Sequence, residues 1–318
     1  VKKEFSILDS RPPTSSENAP SRFFTIEDRR SQIENGFTLI EVMVVVVLLS
    51  LIVIALMGVF NTTQAAFRAS ITQTDVLEGG RAAVDLITQD LKGMSPSLGF
   101  SNGAVNFYVT NNPSYSPLLQ PMTASPNNQS RTNVLENFFI LSRENQTWTG
   151  TGYVVDTLSA NGINPLYRFS MTTNVSALNG AVGLYDNFLF TPLTNQLFWS
   201  RLVDGVVTLR VRAYSPGGLW MSNGFVNVAD YRVKNVRFLP STVNAPTFGE
   251  VNFFMFSNTL PASVELEMAT LEDRTLQRAE TYPNNSIAQS NYLAQQAGKV
   301  HVFRQRVAIP NVDPAAYQ

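Results

Sequence analysis

The chain has 318 residues, 44% of them hydrophobic and only 15% charged, with a formal net charge of −1. Near-neutrality with dispersed cations argues against nucleic-acid binding through phosphate neutralisation. There is no cysteine, so a disulfide framework and a thiolate metal site are both excluded, and an exported body must rely on its core alone.

Residues 1–36 read as a polar, unstructured leader, with Pro12-Pro13, the run Thr14-Ser15-Ser16 and mixed charge ending in Asp28-Arg29-Arg30. The sequence Gly36-Phe37-Thr38-Leu39-Ile40-Glu41-Val42 follows, then an almost unbroken apolar run to Phe60 in which Glu41 is the only ionisable side chain. From Val42 to Phe60 there are about 19 residues, roughly 28 Å of helix, enough to cross the hydrocarbon core of a bilayer. Arg29 and Arg30 lie ahead of the run, which places the N-terminus in the cytoplasm and the remainder outside. A secretory signal has a shorter apolar region followed by a small-residue cleavage site. A plain signal anchor accounts for length and flanks and leaves Glu41 unexplained, because a carboxylate near hydrocarbon is costly.

The segment Gly36 to Glu41 resembles the cleavage and methylation motif of the type IV prepilin and pseudopilin superfamily, with Gly before the cut, Phe after it and Glu at the fifth mature position. The resemblance implies that a prepilin peptidase cuts between Gly36 and Phe37 and methylates the new amine of Phe37. It also implies that Glu41, one helical turn on, offsets that amine in its own or a neighbouring subunit and sets register during assembly. A plainer role for Glu41 is interaction with its own helix N-terminus. The two roles are compatible.

Beyond the membrane, apolar residues recur at Phe60, Phe67, Ile71, Leu77, Val84, Ile87 and Leu91, close to heptad and i+3/i+4 spacing. Gln64, Arg68, Gln73, Asp75, Glu78, Arg81, Asp85 and Gln89 lie opposite. Lys92, Gly93 as a C′ residue and Pro96 form a stop signal, so 37–92 is expected to be one helix. Gly58 and Gly79-Gly80 are either bend sites or tolerated glycines.

After Pro96 the texture turns to short runs rich in Val, Phe, Tyr and Thr, punctuated by Asn, Gly and Pro. Strands are expected at 137–142, 153–158, 166–171, 196–202, 206–213, 231–239, 251–256, 263–271 and 300–309. Helices are expected around 273–279 and 286–297, and the longest loop at 111–133. The expected division is a leader at 1–36, a transmembrane half-helix at 37–60, an exported amphipathic half at 61–95 and a body at 96–318. The fold class is α+β, with an antiparallel sheet packed on the exported half of the long helix in a pilin-like layout. Leu202-Val203-Asp204-Gly205-Val206 leading into Arg210-Val211-Arg212-Ala213-Tyr214 resembles a strand of J-type minor pseudopilins and W-type minor pilins. So do the stretch from Leu260 to Leu266 and the closing Phe303-Arg304-Gln305-Arg306-Val307-Ala308-Ile309-Pro310.

Catalytic constellations are sparse. His301 is the only histidine, which leaves no Ser-His-Asp triad and no histidine metal cluster, and it reads as structural. No phosphate-binding glycine loop is present. Glu265, Glu267, Glu272 and Asp273 are conceivable oxygen ligands for calcium, but solvent-facing strand positions and a helix start explain them more simply. Trp148, Trp199 and Trp220 read as core residues, with a ligand groove as the alternative. The expectation is therefore a non-enzymatic structural subunit, with no cofactor and no metal. The resemblance implies a minor pilin or pseudopilin of the bacterial inner membrane that joins a type II secretion pseudopilus or a type IV pilus-like filament. Its expected partners are a prepilin peptidase, other minor and major pilins, the inner-membrane assembly platform and membrane lipid. The resemblance implies that the subunit at the extreme tip lacks the fifth-position glutamate, so Glu41 places this chain just beneath the tip. The rival reading is an adhesin or ligand-binding module displayed on the same anchor.

Overall fold

The computed structural model describes residues 37–98, 103–112, 119–121, 130–157, 163–176, 180–221, 235–239, 252–283 and 286–317. The leader at 1–36, including Gly36, and the start of the strand expected at 231–239 lie outside them. The chain divides into two units, Val1–Asn61 and Thr62–Gln318, and helix α1, Leu39–Lys92, contributes to both.

In the first unit, the described side chains of α1 are exposed and apolar from Leu39 to Phe60, apart from Glu41 and Ser50. Ser50 satisfies its hydroxyl internally by donating to the Val46 carbonyl at 2.7 Å, the usual solution for a hydroxyl in an apolar helix. The 39–68 stretch is long and apolar enough to cross a membrane, and no part of its most apolar window is buried. It fits a single-pass anchor.

The second unit is α+β. Its strands are β1 (Val105–Asn111), β2 (Leu119–Pro121), β3 (Ser130–Thr132), β4 (Glu136–Glu144), β5 (Thr147–Val155), β6 (Leu166–Asn174), β7 (Trp199–Val203), β8 (Val206–Tyr214), β9 (Val236–Leu239), β10 (Asn252–Phe256), β11 (Ser263–Leu271) and β12 (Val300–Ala308). Helix α2 (Val182–Phe190) precedes β7; α3 (Asp273–Glu280) and α4 (Ile287–Gln295) lie between β11 and β12. A seven-stranded antiparallel sheet runs β7-β6-β5-β4-β1-β10-β9, a three-stranded one runs β12-β11-β8, and β2 pairs with β3. The two larger sheets touch where Leu135 and Leu209 form a parallel bridge.

The main core lies between the two sheets and the last turns of α1. It contains Ala83, Val84, Ile87 and Leu91 with Phe107, Phe138, Tyr153 and Phe253 from the large sheet, and Leu209, Leu266, Met268 and Val307 from the small one. Full burial of side chains such as Ile87 and Leu91 contributes about 1.5–3 kcal/mol each. The stripe on α1 is shorter than its periodicity predicts: Phe60, Phe67, Ile71 and Leu77 are exposed, while Val76 and Ala83 are buried. Among the described side chains of α1, burial begins at Val76.

The glycine pair separates cleanly. A Cβ on Gly79 meets nothing within 4 Å, whereas one on Gly80 would overlap the Phe303 ring of β12. Gly80 therefore permits close helix–sheet approach, and α1 runs through the pair without interruption. At the C-terminus, Gly93 donates to the Gln89 and Asp90 carbonyls without entering the left-handed region. The helix stops because the chain joins β4, with Met94 bridging Ser142 and the Ser95 N–H donating to the Leu141 carbonyl at 3.0 Å.

The opposite face of the large sheet carries a second core under α2, in which Phe139, Leu141, Trp148, Phe169 and Trp199 meet Leu184 and Phe188. Gly150 and Gly152 of β5 make room: a Cβ at Gly150 would sit 2.9 Å from Leu184 Cβ, and one at Gly152 would overlap the Phe188 ring. The strand expected at 196–202 begins only at Trp199. Before it, Asn195 closes a turn, its carboxamide oxygen accepting from the Leu197 N–H at 3.1 Å and its carbonyl from the Phe198 and Trp199 N–H groups.

Candidate processing and assembly site

The helix begins at Leu39, which makes Thr38 its N-cap and Glu41 its third helical residue. The two side chains are reciprocally bonded. The Glu41 N–H donates to Thr38 Oγ1 at 3.4 Å, and the Thr38 N–H and hydroxyl both donate to Glu41 Oε2, at 2.9 and 3.0 Å. This is a capping box, written in the sequence as Thr-x-x-Glu ahead of an apolar run. It satisfies donors that hydrocarbon would leave bare and places an acid where the helix dipole favours one.

Glu41 thus holds its own helix N-terminus, the plainer of the two roles expected for it. Both bonds it accepts fall on Oε2, and no bond among the described residues reaches Oε1. Among the described residues, that second carboxylate oxygen has no donor. Phe37 stands ahead of the cap, exposed at 85%.

Residues 32–57 match the family model for the prokaryotic N-terminal methylation motif. The match spans Gly36, Phe37, the capping box and most of the apolar run. The chain therefore carries a type IV prepilin-like signal, and the motif supports a type IV pilin- or pseudopilin-like protein that is processed by a prepilin peptidase and assembles with other pilins. No curated protein and no solved structure matches the chain.

Within the second unit, the last turn of α1 is fastened to the large sheet by a polar clamp. Asp90 Oδ2 accepts from the Tyr153 hydroxyl at 2.5 Å and from Arg168 Nε at 2.9 Å, while Oδ1 accepts from Arg168 Nη2 at 3.1 Å. Burial, reinforced by the Asp90 charge, pushes the Tyr153 phenol far above its ordinary range, so it serves as a permanent donor. Nothing in the sequence marks Asp90 for this; its partners lie 63 and 78 residues away.

The carboxylates weighed as calcium ligands are occupied otherwise. Glu265 pairs with Arg304 Nη2 at 2.6 Å and Arg212 Nη1 at 3.8 Å, and Glu267 lies 4.0 Å from Arg210 Nη1. Glu272 lies 3.4 Å from both Lys299 Nζ and His301 Nε2, and Asp273 opens α3. Among the described residues no cluster of three or more His, Asp or Glu could hold a metal. Trp148 and Trp199 are core residues; Trp220 is half-buried, with the Arg212 guanidinium 4.5 Å over its ring. A cavity of about 540 Å³ opens beside Trp199, lined by Asp156, Tyr167, Leu193, Thr194, Gln196 and Arg201.

Proposed function

We propose that this chain is a minor pilin or pseudopilin. A prepilin peptidase cuts it between Gly36 and Phe37 and methylates the Phe37 amine. The mature chain waits in the inner membrane, with its body exported and membrane lipid around α1. From there it enters a type II secretion pseudopilus or type IV pilus-like filament through the assembly platform, just beneath the tip. The observation that supports this reading is the capped helix start: a carboxylate with one oxygen spent on its own cap and the other without a donor among the described residues, at the head of an exposed apolar helix. In hydrocarbon, the unspent oxygen and a methylated amine are each costly alone and favourable together.

The division of labour within Glu41 gives the test. Glu41→Ala removes both cap and counter-charge, and Glu41→Gln keeps an acceptor for the cap while removing the charge. Both variants should be exported and processed, and both should fail to enter filaments. Normal incorporation of Glu41→Gln would refute the counter-charge role and leave only the cap.

A second reading, a ligand-binding body displayed on the same anchor, is favoured by the cavity beside Trp199. Its lining offers one carboxylate, one guanidinium, an amide and two hydroxyls around an apolar floor. Tyr167→Ala with Gln196→Ala should abolish adhesion or substrate capture while filaments persist if that reading holds.

A further inference from the structure

Helix α2 covers only part of the sheet face on which it lies. Beneath it, register sets Tyr108, Phe139, Gly152, Phe169 and Trp199 side by side across β1, β4, β5, β6 and β7, and all five are buried. Two residues along each strand, on the same face, the row becomes Thr110, Asn137, Val154, Tyr167 and Arg201, and none of these is buried. Crossing five strands, it runs roughly 19 Å at the usual strand spacing. The connection from α2 to β7 walls it on one side. Leu193 and Trp199 of this wall line both the cavity of about 540 Å³ and a second, of about 210 Å³, that reaches Thr110 and Asn137. Through these shared residues the two form one groove.

Much of the hydrogen-bonding capacity along the groove is unused. Among the described residues, the Tyr167 hydroxyl and the Gln196 carboxamide have no hydrogen-bond partner. Arg201 donates through Nε to Asp204 Oδ1 at 2.5 Å, and its outer nitrogens have no acceptor among those residues. Asn137 Oδ1 accepts from the Val155 N–H at 3.3 Å, while its Nδ2 likewise has no acceptor there. Asp156 adds a carboxylate to the lining. Between these groups lie the Tyr167 ring, Val154, Leu193 and an edge of Trp199, whose Nε1 donates to the Thr191 carbonyl at 3.2 Å.

This chemistry selects among ligand classes. One carboxylate, and one guanidinium that is paired with Asp204, leave the groove near neutral, which does not suit a polyanion. A peptide bound by strand addition needs a free sheet edge, and this row runs across strands whose backbones bond to one another. A wholly apolar ligand would leave the donors and acceptors of the row dry and unpaired. A chain of sugar rings meets every requirement. Its hydroxyls both donate and accept, so they suit carboxylate, carboxamide and guanidinium groups, and its C–H faces cover aromatic and aliphatic side chains. A solvated sheet end would explain the polar row alone. It does not explain the apolar surface set between its members beside a folded wall.

Resting on the reading of the body as a displayed ligand-binding module, we propose that this groove binds a neutral glycan. The glycan lies across the strands with ring faces against Tyr167 and Leu193, and its hydroxyls bond to Asn137, Asp156, Gln196 and Arg201.

The test uses the full-length chain in a zwitterionic detergent, because glycoside detergents would compete for the groove. Cellotetraose, maltotetraose and chitotetraose are titrated by calorimetry, and isolated peptidoglycan sacculi are tested by co-sedimentation. Saturable binding of at least one tetramer is expected. It should weaken about tenfold in Tyr167→Phe and in Gln196→Ala, with unfolding midpoints compared alongside. Leu197→Ala, on the same connection, highly exposed and outside the lining, should bind as the natural chain does. Chitotetraose and sacculi bound together would support the proposal with the cell wall as the source of the glycan; a tetramer bound without sacculi would support it with another source. Glycan binding that ignores Tyr167→Phe and Gln196→Ala, or falls equally in Leu197→Ala, would overturn the groove as its site. No glycan binding, with a peptide array bound in a Gln196-dependent manner, would overturn the glycan and leave the ligand-binding module standing. Binding of neither glycans nor peptides would overturn the module reading as well.

Discussion

Two adjacent glycines in α1 should respond in opposite directions to the same substitution. Ala is favoured over Gly in a helix interior by about 0.8–1 kcal/mol, whatever the surroundings. At Gly79 a Cβ meets nothing within 4 Å, so Gly79→Ala should gain that amount. At Gly80 the Cβ would overlap the Phe303 ring, which lies between the helix and β12, and overpacking of this kind costs about 1–3 kcal/mol. The net effect at Gly80 is a loss of up to about 2 kcal/mol, so the two variants should differ by roughly 1–3 kcal/mol in all. Urea unfolding of the detergent-solubilised full-length chain, followed by near-ultraviolet circular dichroism, measures the gap. Pairing Gly80→Ala with Phe303→Leu should recover part of the loss. If Gly80→Ala stabilises the body as much as Gly79→Ala, the close approach of helix and sheet is wrong.

The Asp90 clamp predicts that Asp90→Ala costs about 2–3 kcal/mol, because it strands a largely buried guanidinium and a fully buried phenol; the figure is at the lower end because Arg168 retains 21% exposure. Equilibrium unfolding checks it, and a change below half that size would mean the clamp is idle. Burial raises the phenols of Tyr153, Tyr185 and Tyr317, with Asp90 adding to the first and Tyr108 to the second. The fold therefore favours their neutral forms. Their contribution is fully present below the ordinary tyrosine range near pH 10 and is lost as pH climbs above it. Absorbance titration at 295 nm should show the exposed tyrosines ionising first and these three only as the fold is lost. Thr38→Ala should leave processing intact and increase amide exchange in the first turn of α1 in bilayers, and exchange equal to the natural chain would remove the capping box from the account.

The anchor was legible because its constraints are local. A run of apolar residues is a bilayer span whatever folds after it, and the Gly36–Glu41 spacing is read directly. The capping box is equally local, because Thr38 and Glu41 stand three apart before an apolar run; the charge of Glu41 by itself does not reveal it. Strands with strong alternation, β8 and β11, fell at or within a residue of their expected bounds. Four elements stayed hidden: β2 and β3, which pair within the stretch expected as the longest loop, 111–133, and β1 and α2, which long-range packing makes. β1 contains Asn106, a turn residue by composition. It sits fully buried because its carboxamide accepts from the Ser97 N–H and donates to the Ser257 and Thr259 carbonyls. α2 contains Gly183 and Asn187 and has no side-chain cap; its helix is secured by Leu184 and Phe188 seating over Gly150 and Gly152, far away in sequence. The sequence at Lys92, Gly93 and Pro96 predicts a glycine cap for α1, whereas the chain leaves the helix to bridge β4, a partner that exists only once the sheet has formed.

Processing at Phe37 is the step from which the rest of the account follows. The intact mass and N-terminal sequence of the membrane-extracted protein, taken with and without an active prepilin peptidase, test it most directly. A chain that begins at N-methylated Phe37 only when the peptidase is active is the expected result. A chain that retains Gly36 and the residues before it under both conditions would contradict the account and reduce the protein to a body on a simple signal anchor.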